Sequence, residues 1–343
     1  MNEKLKCADA IDVTRFVLSL MVVLIHIHAS ILRNRFGGAQ LPILRVAVPI
    51  FFLISSFLFF RKFDGQDDHL KLRRFLKRNL LLYAAWFVVL FPLDYPAKQY
   101  FSDGFLRGLG EIVHCFLFNS TFFTSWFLSA LIIGTLIVYL LSRRLSNRAV
   151  LCIGLFIYVL CCLASSYRRL LSDASFIRWL EAVYPSNIVN SFPVSIVWIA
   201  MGKCFADRPS DSHLLPKRSL LFPLLGCVLL FIEELLILFL DCDVSRDCYI
   251  TLLLAVPLLF DWILSSEIHC SFAKKLRKSS VVIFCMHCEV IIQLNAFLLM
   301  IGIQPSRLIV SLPFYIAVVA ICLICSEILQ ALSNRFRFFR IFL

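Results

Sequence analysis

Charge is what this 343-residue chain lacks most: Asp, Glu, Lys and Arg together make up 16% of it, against roughly a quarter in ordinary soluble domains. With 60% hydrophobic residues, that scarcity excludes a soluble globular protein. Acidic residues are rarer than basic ones, 22 against 34, which leaves a formal charge of +12. The excess does not point to nucleic acid. Its basic groups cluster in short loops on alternate sides of the apolar blocks, the pattern of positive-inside topology.

Other features are also missing. No small-residue cleavage site follows the first apolar block, and a second block comes after a short hairpin, so the first is expected to stay as a helix. No solenoid-like repeat is evident. The fourteen cysteines include two CxxC pairs, Cys285/Cys288 and Cys322/Cys325, but both lie in apolar blocks without the second half of a zinc site, and no metal is expected. Cys242 and Cys248 flank a short polar loop and form a candidate pair if that loop faces an oxidising compartment.

What is present is a series of apolar blocks of helix-spanning length. The expected fold class is all-α, a polytopic membrane bundle forming one domain over residues 1–343. Ten spans are expected, near 13–33, 42–60, 79–95, 122–142, 149–165, 187–204, 219–240, 249–266, 280–300 and 307–332. Cationic clusters at 61–62, 71–78, 143–148, 274–278 and 335–340 assign both termini to the cytoplasm. Two opposite segments, about 96–121 and 166–186, are longer than turns and hold amphipathic stretches, such as 176–184, suited to a membrane surface.

The first block carries the most telling residues. Arg15 and His26 are eleven residues apart, about three turns, so both lie on one face with about 16 Å between them along the axis. An ionisable group kept inside a span is a functional candidate by default. Neutral imidazole is the usual base for taking a hydroxyl proton near neutral pH, and guanidinium suits phosphate. The bland readings are a helix-bridging hydrogen bond for His26, topology anchors for Arg73, Arg74, Lys77 and Arg78, and an interfacial anchor for Trp126. His28 is read as a packing residue, and Ser55 as satisfying its own helix. His287 with Glu289 is a candidate second polar centre, with a structural hydrogen bond as its bland reading. Arg45 is expected to snorkel, while Glu233, Glu234 and Glu327 need partners that sequence cannot name.

In these motifs the chain resembles the membrane-bound acyltransferase family 3, whose members O-acylate cell-surface glycans and related acceptors. Asp12, Arg15 and His26 match the family's opening motif. Phe51, Phe52, Ser55 and Phe57 match its Phe-Phe-x-x-Ser-Gly-Phe signature, except that Ser56 stands where the family has glycine. Arg74 and Arg78 match its arginine pair in kind, at wider spacing. Ser125-Trp126-Phe127-Leu128 looks like its Trp-Phe-Leu, and His287 like the histidine of its penultimate span. The resemblance is to the family's standalone form, with no hydrolase-like exterior domain expected after the membrane part.

The resemblance implies an O-acyltransferase of the cell membrane that carries no permanent cofactor and uses acyl-CoA, by default acetyl-CoA, as co-substrate. The acceptor would be a hydroxyl of a surface polysaccharide or its lipid-linked precursor. His26 would be the base, with Arg15, Arg74 and Arg78 anchoring the donor. Asp12, Ser55, Trp126 and His287 would support the site, next to the lipid bilayer and without nucleic acid. The rival class is a multi-span transporter of an envelope-related small molecule, which paired interrupted segments in the two halves would favour; none is seen.

Overall fold

The computed structural model describes residues 7–27, 41–93, 101–102, 104–171, 175, 179, 188–209, 214, 219–242, 245–303 and 308–343, without the side chains of 171 and 308–311. Eleven α-helices and no strand occur among them. They are α1 (Ala8–Ile27), α2 (Ala47–Phe60), α3 (Asp68–Leu90), α4 (Phe105–Phe118), α5 (Ser125–Ser142), α6 (Asn147–Leu163), α7 (Phe192–Ala206), α8 (Leu221–Phe239), α9 (Leu252–Ser265), α10 (Ala273–Met300) and α11 (Leu308–Arg335). A helix lies under each expected span. Residues 28–33, 94–95, 187 and 307 of those spans, His28, and 176–184 apart from Trp179 fall outside the described residues.

Six helices are long and apolar enough to cross a membrane: α1, α2 with the 3-10 turn Pro42–Val46 before it, α5, α8, α10 and α11. α6, α7 and α9 are apolar but shorter. α3 differs in kind. Its first three turns hold Lys71, Arg73, Arg74, Lys77 and Arg78 interleaved with Leu70, Leu72, Phe75 and Leu76, and an unbroken apolar run begins only at Leu80, so the basic stretch expected as a loop is the start of the helix itself. α4 falls inside the expected amphipathic segment 96–121.

Local sequence accounts for several boundaries. Ser146 caps α6, its hydroxyl accepting from the Ala149 amide at 3.3 Å, which satisfies one of the donors that a helix start leaves open. Pro193 stands in the first turn of α7, where a missing N–H costs nothing. Pro257 inside α9 and Pro313 inside α11 fit apolar helices whose neighbours can satisfy the freed backbone.

α7 is the hub. It packs against α2, α5 and α6, and its residues Pro193–Gly202 are buried without a break, as a helix apolar on every side should be. Close approach comes from small residues. A Cβ on Gly154 of α6 would stand 2.8 Å from the Val197 Cα, and one on Gly202 would stand 1.9 Å from the Ser56 Oγ. The second contact answers the departure at Ser56. Where the related motif has glycine on α2, here the glycine is on α7, and Ser56 turns its hydroxyl back onto Phe52 O and Leu53 O at 2.8 and 3.1 Å.

Candidate active site

α1 and α10 form the most extensive helix pair, and they run parallel. At one end the Arg277 Nη1 reaches the Asp12 Oδ2 at 3.4 Å. At the other, the rings of His26 and His287 lie 5.1 Å apart. Arg277 and His287 are ten residues apart, a rise of about 15 Å that nearly copies the 16 Å from Arg15 to His26. Each helix thus carries an arginine and, about three turns further along, a histidine. Arg277 was passed over in the sequence as one of a cationic cluster, although this spacing could have singled it out.

The two histidines differ in surroundings. His26 is accessible and His287 fully buried. The His287 Nδ1 lies 2.9 Å from the carbonyls of both Ile283 and Phe284. Two acceptors there assign the proton to Nδ1 and leave Nε2 with a lone pair. That Nε2 is buried and makes no hydrogen bond among the described residues. Glu289 does not join this pair; it accepts from the Gln293 amide at 2.6 Å.

The motifs that are distant in sequence meet around His287. Phe51 of α2 and Phe127 of α5 both pack on Phe284, at 5.7 and 4.9 Å between centroids. Phe52 packs on Phe127 and on Trp126. Thr124, held at a φ of 69°, a conformation that β-branched residues rarely adopt, donates to the Phe284 carbonyl at 3.3 Å. That carbonyl is one of the two that orient His287. Ser55 is half-buried on α2, and its neighbour Ser56 is the residue that faces α7.

At the Arg15 end the charges of Asp12, Arg277 and Arg78 all act on Arg15. Arg78 is thus close enough for its charge to be felt at Arg15, at the point where the basic stretch of α3 ends. Arg74, one turn earlier, is exposed and makes no ion pair among the described residues.

At the His26 end the polar residues are matched one against another. Arg45 does not simply snorkel: its Nη1 pairs with the Asp247 Oδ1 at 2.7 Å, and its charge also acts on His26. Glu234 accepts from the Arg246 Nη1 and the Tyr249 hydroxyl, both at 2.7 Å. Glu233 accepts from the amides of Ile250 and Thr251 at 2.6 and 2.8 Å, and from the hydroxyls of Thr251 and Tyr167. Consecutive glutamates of α8 thus hold the chain on both sides of Asp247. Elsewhere, Glu327 pairs with Lys275 at 2.8 Å. Cys242 and Cys248 are both buried and are not joined by a disulfide, which corrects the candidate pair.

A cavity of about 60 Å³ lies between α1, α2, α5 and α7, and neither His26 nor His287 lines it. Ile25, Arg45, Trp126, Asn190 and Asp247 line it, with Tyr158 and Trp198 among its deeper walls. Separately, His26, His287 and Cys288 bring potential ligand atoms within 4.8 Å of one another. Two imidazoles and a thiol are donors that a soft divalent ion accepts.

Comparison with known proteins adds the family. Among curated proteins, the chain is 24% identical over 264 residues to an amino-acid racemase of Enterococcus faecalis, which covers 75% of this chain and 36% of that protein. It is 25% identical over 232 residues to a serine/alanine racemase of Enterococcus gallinarum, covering 65% of this chain and 32% of the relative. The chain therefore spans about a third of the length of these relatives. No solved structure matches it. A family profile described as an acyltransferase domain matches residues 9–328, a stretch that takes in both arginines and both histidines of the α1–α10 pair. The chain belongs to the acyltransferase 3 family.

Proposed function

We propose that this membrane acyltransferase moves an acyl group, by default acetyl, from coenzyme A to a hydroxyl of a surface polysaccharide or its lipid-linked precursor. The observation that carries the reading is the polarity of the α1–α10 pair. Arg15, Arg277 and Arg78 gather at one end and the histidines at the other, about 16 Å away by helix rise. Coenzyme A is a polyanion with a long neutral arm ending in a thioester. Its phosphates suit the arginine end through charge-assisted hydrogen bonds, and the arm spans the distance to His26. Because the donor is cytosolic, this reading puts the arginine end and both termini in the cytoplasm of a cell-membrane protein.

The chemistry follows from the accessible ring. His26 takes the proton of the acceptor hydroxyl as its oxygen attacks the thioester carbonyl carbon. The tetrahedral intermediate collapses by breaking the C–S bond, and the imidazolium returns the proton to the departing thiolate. The ester and free coenzyme A leave, with protons and electrons balanced. Catalysis of this kind is worth about 10²–10⁴-fold. His287 is a positioning residue here: its Nε2 lone pair is fixed by the Nδ1 contacts and is available to an N–H of His26. No metal takes part in this scheme, which needs His26 unligated.

The test is transfer of radiolabel from acetyl-CoA to cell-envelope glycan, with membranes holding matched amounts of wild type, His26→Ala and Arg15→Ala. The reading expects labelling to vanish with His26→Ala and to recover at high donor concentration with Arg15→Ala. Equal labelling in all three would remove helix α1 from the chemistry. An unlabelled wild type would favour transport of a small molecule instead.

A further inference from the structure

The His287 Nε2 is buried and makes no hydrogen bond among the described residues. A buried acceptor left without a partner is costly, so a fully buried one at the heart of a helix pair points to a group that it receives. The opposite nitrogen is committed: Nδ1 lies 2.9 Å from the carbonyls of Ile283 and Phe284. A ring nitrogen of His26, one of His287 and the Cys288 Sγ all lie within 4.8 Å of one another. With Nδ1 engaged, the nitrogen that His287 offers to this cluster is Nε2.

We propose that His26, His287 and Cys288 form a binding site for a soft divalent cation, Zn²⁺ in first place, and that its occupation switches acyl transfer off. Two imidazoles and a thiolate are a zinc donor set, and three protein ligands leave the fourth tetrahedral position open. His26 is the accessible member of the three, so its side supplies both the entry path and the solvent molecule for that position. Zinc holds nitrogen at about 2.0 Å and sulfur at about 2.3 Å, which sets tetrahedral ligand atoms roughly 3.3–3.8 Å apart. From 4.8 Å or less, small side-chain rotations close the cluster on the ion.

The surroundings are those of a metal site. Metal-ligating histidines commonly give their second N–H to a backbone carbonyl, which fixes tautomer and ring direction, and His287 already does so. Val23, Ile27, Ile283 and Val290, each within four residues of a ligand in the chain, belong to one buried apolar cluster and keep the inner side dry. The Arg45 charge that acts on His26 is offset by its ion pair with Asp247. On binding, Cys288 ligates as the thiolate: the S–Zn bond forms as the S–H proton passes to solvent, and no electron changes hands. Cys288 belongs to a CxxC pair that lacks the second half of a zinc site in sequence. The packing of α1 on α10 supplies that half as two histidines.

The site stands on these contacts alone; the switch rests on the acyl-transfer reading. A cation on His26 takes the lone pair that would accept the hydroxyl proton. It leaves the arginine end, about 16 Å away by helix rise, untouched. Zinc should therefore lower kcat and spare the acetyl-CoA KM.

The experiment titrates the full chain in lipid nanodiscs with Co²⁺, whose thiolate charge-transfer absorption reports a cysteine ligand, and then displaces it with Zn²⁺. One equivalent of Co²⁺ should produce the band and Zn²⁺ should bleach it. Cys288→Ser should remove the band. His287→Ala and His26→Ala should each weaken binding by at least the roughly 10–100-fold that loss of an outer partner costs. Cys115→Ser, in the other cluster of donors, Glu111, His114 and Cys115 of α4, should bind like wild type. Melting without metal shows which variants are folded, and His26→Ala, at the accessible ring, serves if buried His287→Ala is not. With acetyl transfer as the readout, Zn²⁺ should lower wild-type kcat at least tenfold, reversibly with a chelator, and Cys288→Ser should need at least tenfold more Zn²⁺ for the same fractional inhibition.

A wild type without the cobalt band would overturn the site. So would a band that survives Cys288→Ser or disappears with Cys115→Ser, or unchanged affinity in a folded His26→Ala protein. Inhibition that raises the acetyl-CoA KM instead of lowering kcat would overturn the switch. If the wild type transfers no acetyl even without metal, the acyl-transfer reading falls, and the cobalt titration still decides whether the three residues bind the ion.

Discussion

The two ends of the α1–α10 pair handle charge in opposite ways. At the His26 end, Glu234 and Arg246 are 2% and 4% exposed and meet at 2.7 Å, Glu233 takes two backbone amides, and Arg45 has Asp247. At the Arg15 end, the charges of Asp12, Arg277 and Arg78 act on Arg15, and the one ion pair that Asp12 makes among the described residues is a 3.4 Å contact with half-exposed Arg277. Burial explains the first arrangement. Charges taken out of water must be matched, because an uncompensated one is very costly. The second keeps a positive surplus near the surface, where a mobile polyanion can complete it. A buried network of matched charges holds structure. An unsaturated cluster waits for a ligand.

This contrast can be broken most forcefully at the saturated end. Glu234→Ala leaves Arg246 buried without its carboxylate and should cost about 3–5 kcal/mol. It would show as a large fall in melting temperature in detergent, while Arg15→Ala should melt like wild type. Equal melting of the two variants would erase the distinction.

Next comes the surplus end. Arg15→Ala and Arg78→Ala each remove a charge-assisted partner worth about 1.5–3 kcal/mol and should raise the acetyl-CoA KM by about 10–100-fold with kcat little changed. Steady-state kinetics at varied donor would show it. Arg74→Ala, lying away from the cluster, is expected to change donor KM far less, and an effect as large as that of Arg78→Ala would redraw the site.

Between the ends lies the seam of α2 and α7. Gly202→Ala drives a methyl into the Ser56 hydroxyl, and overpacking of this kind costs about 1–3 kcal/mol. Ser56→Gly in the same chain should restore melting, and failure to rescue would show that the clash is with the Leu53 carbonyl, 2.8 Å from that methyl.

The smallest effect is expected at an exposed pair. Asp64 accepts from Lys71 at 2.5 Å and from the Gln66 amide at 2.9 Å, and the Lys71 hydrogen bond holds its carboxyl below the usual carboxylate range. The sign is that of a depressed acid. Its contribution is present above the unfolded value, about 3.9, and is lost as pH falls through the lower folded value. Solvent screening makes an exposed pair nearly worthless, so Lys71→Ala should not measurably shift melting at neutral pH. A clear shift would mean that charge at this end is structural after all.

Legibility from sequence followed the range of the interactions involved. Within one helix, spacing alone put Arg15 and His26 on a common face, because helical periodicity is fixed by the backbone. The same locality made Trp126, Ser55 and His287 identifiable as motif residues but gave none of them a partner. His287 acquires its role from α1, five ångströms away and more than 250 residues distant in the chain. Arg277 hid among the lysines and arginines of one cationic stretch until the parallel packing set it against Asp12. The sequence leaves the partner of Arg45 open, because Asp247 lies two hundred residues later.

Composition and hydropathy by themselves determined an all-helical membrane chain and the helix under each apolar block, since a backbone in hydrocarbon must satisfy its own hydrogen bonds. Only the tertiary structure decided which end of the α1–α10 pair is saturated and which is not. Charge matching depends on distances between helices, and those are set by side-chain packing rather than by the order of residues along the chain.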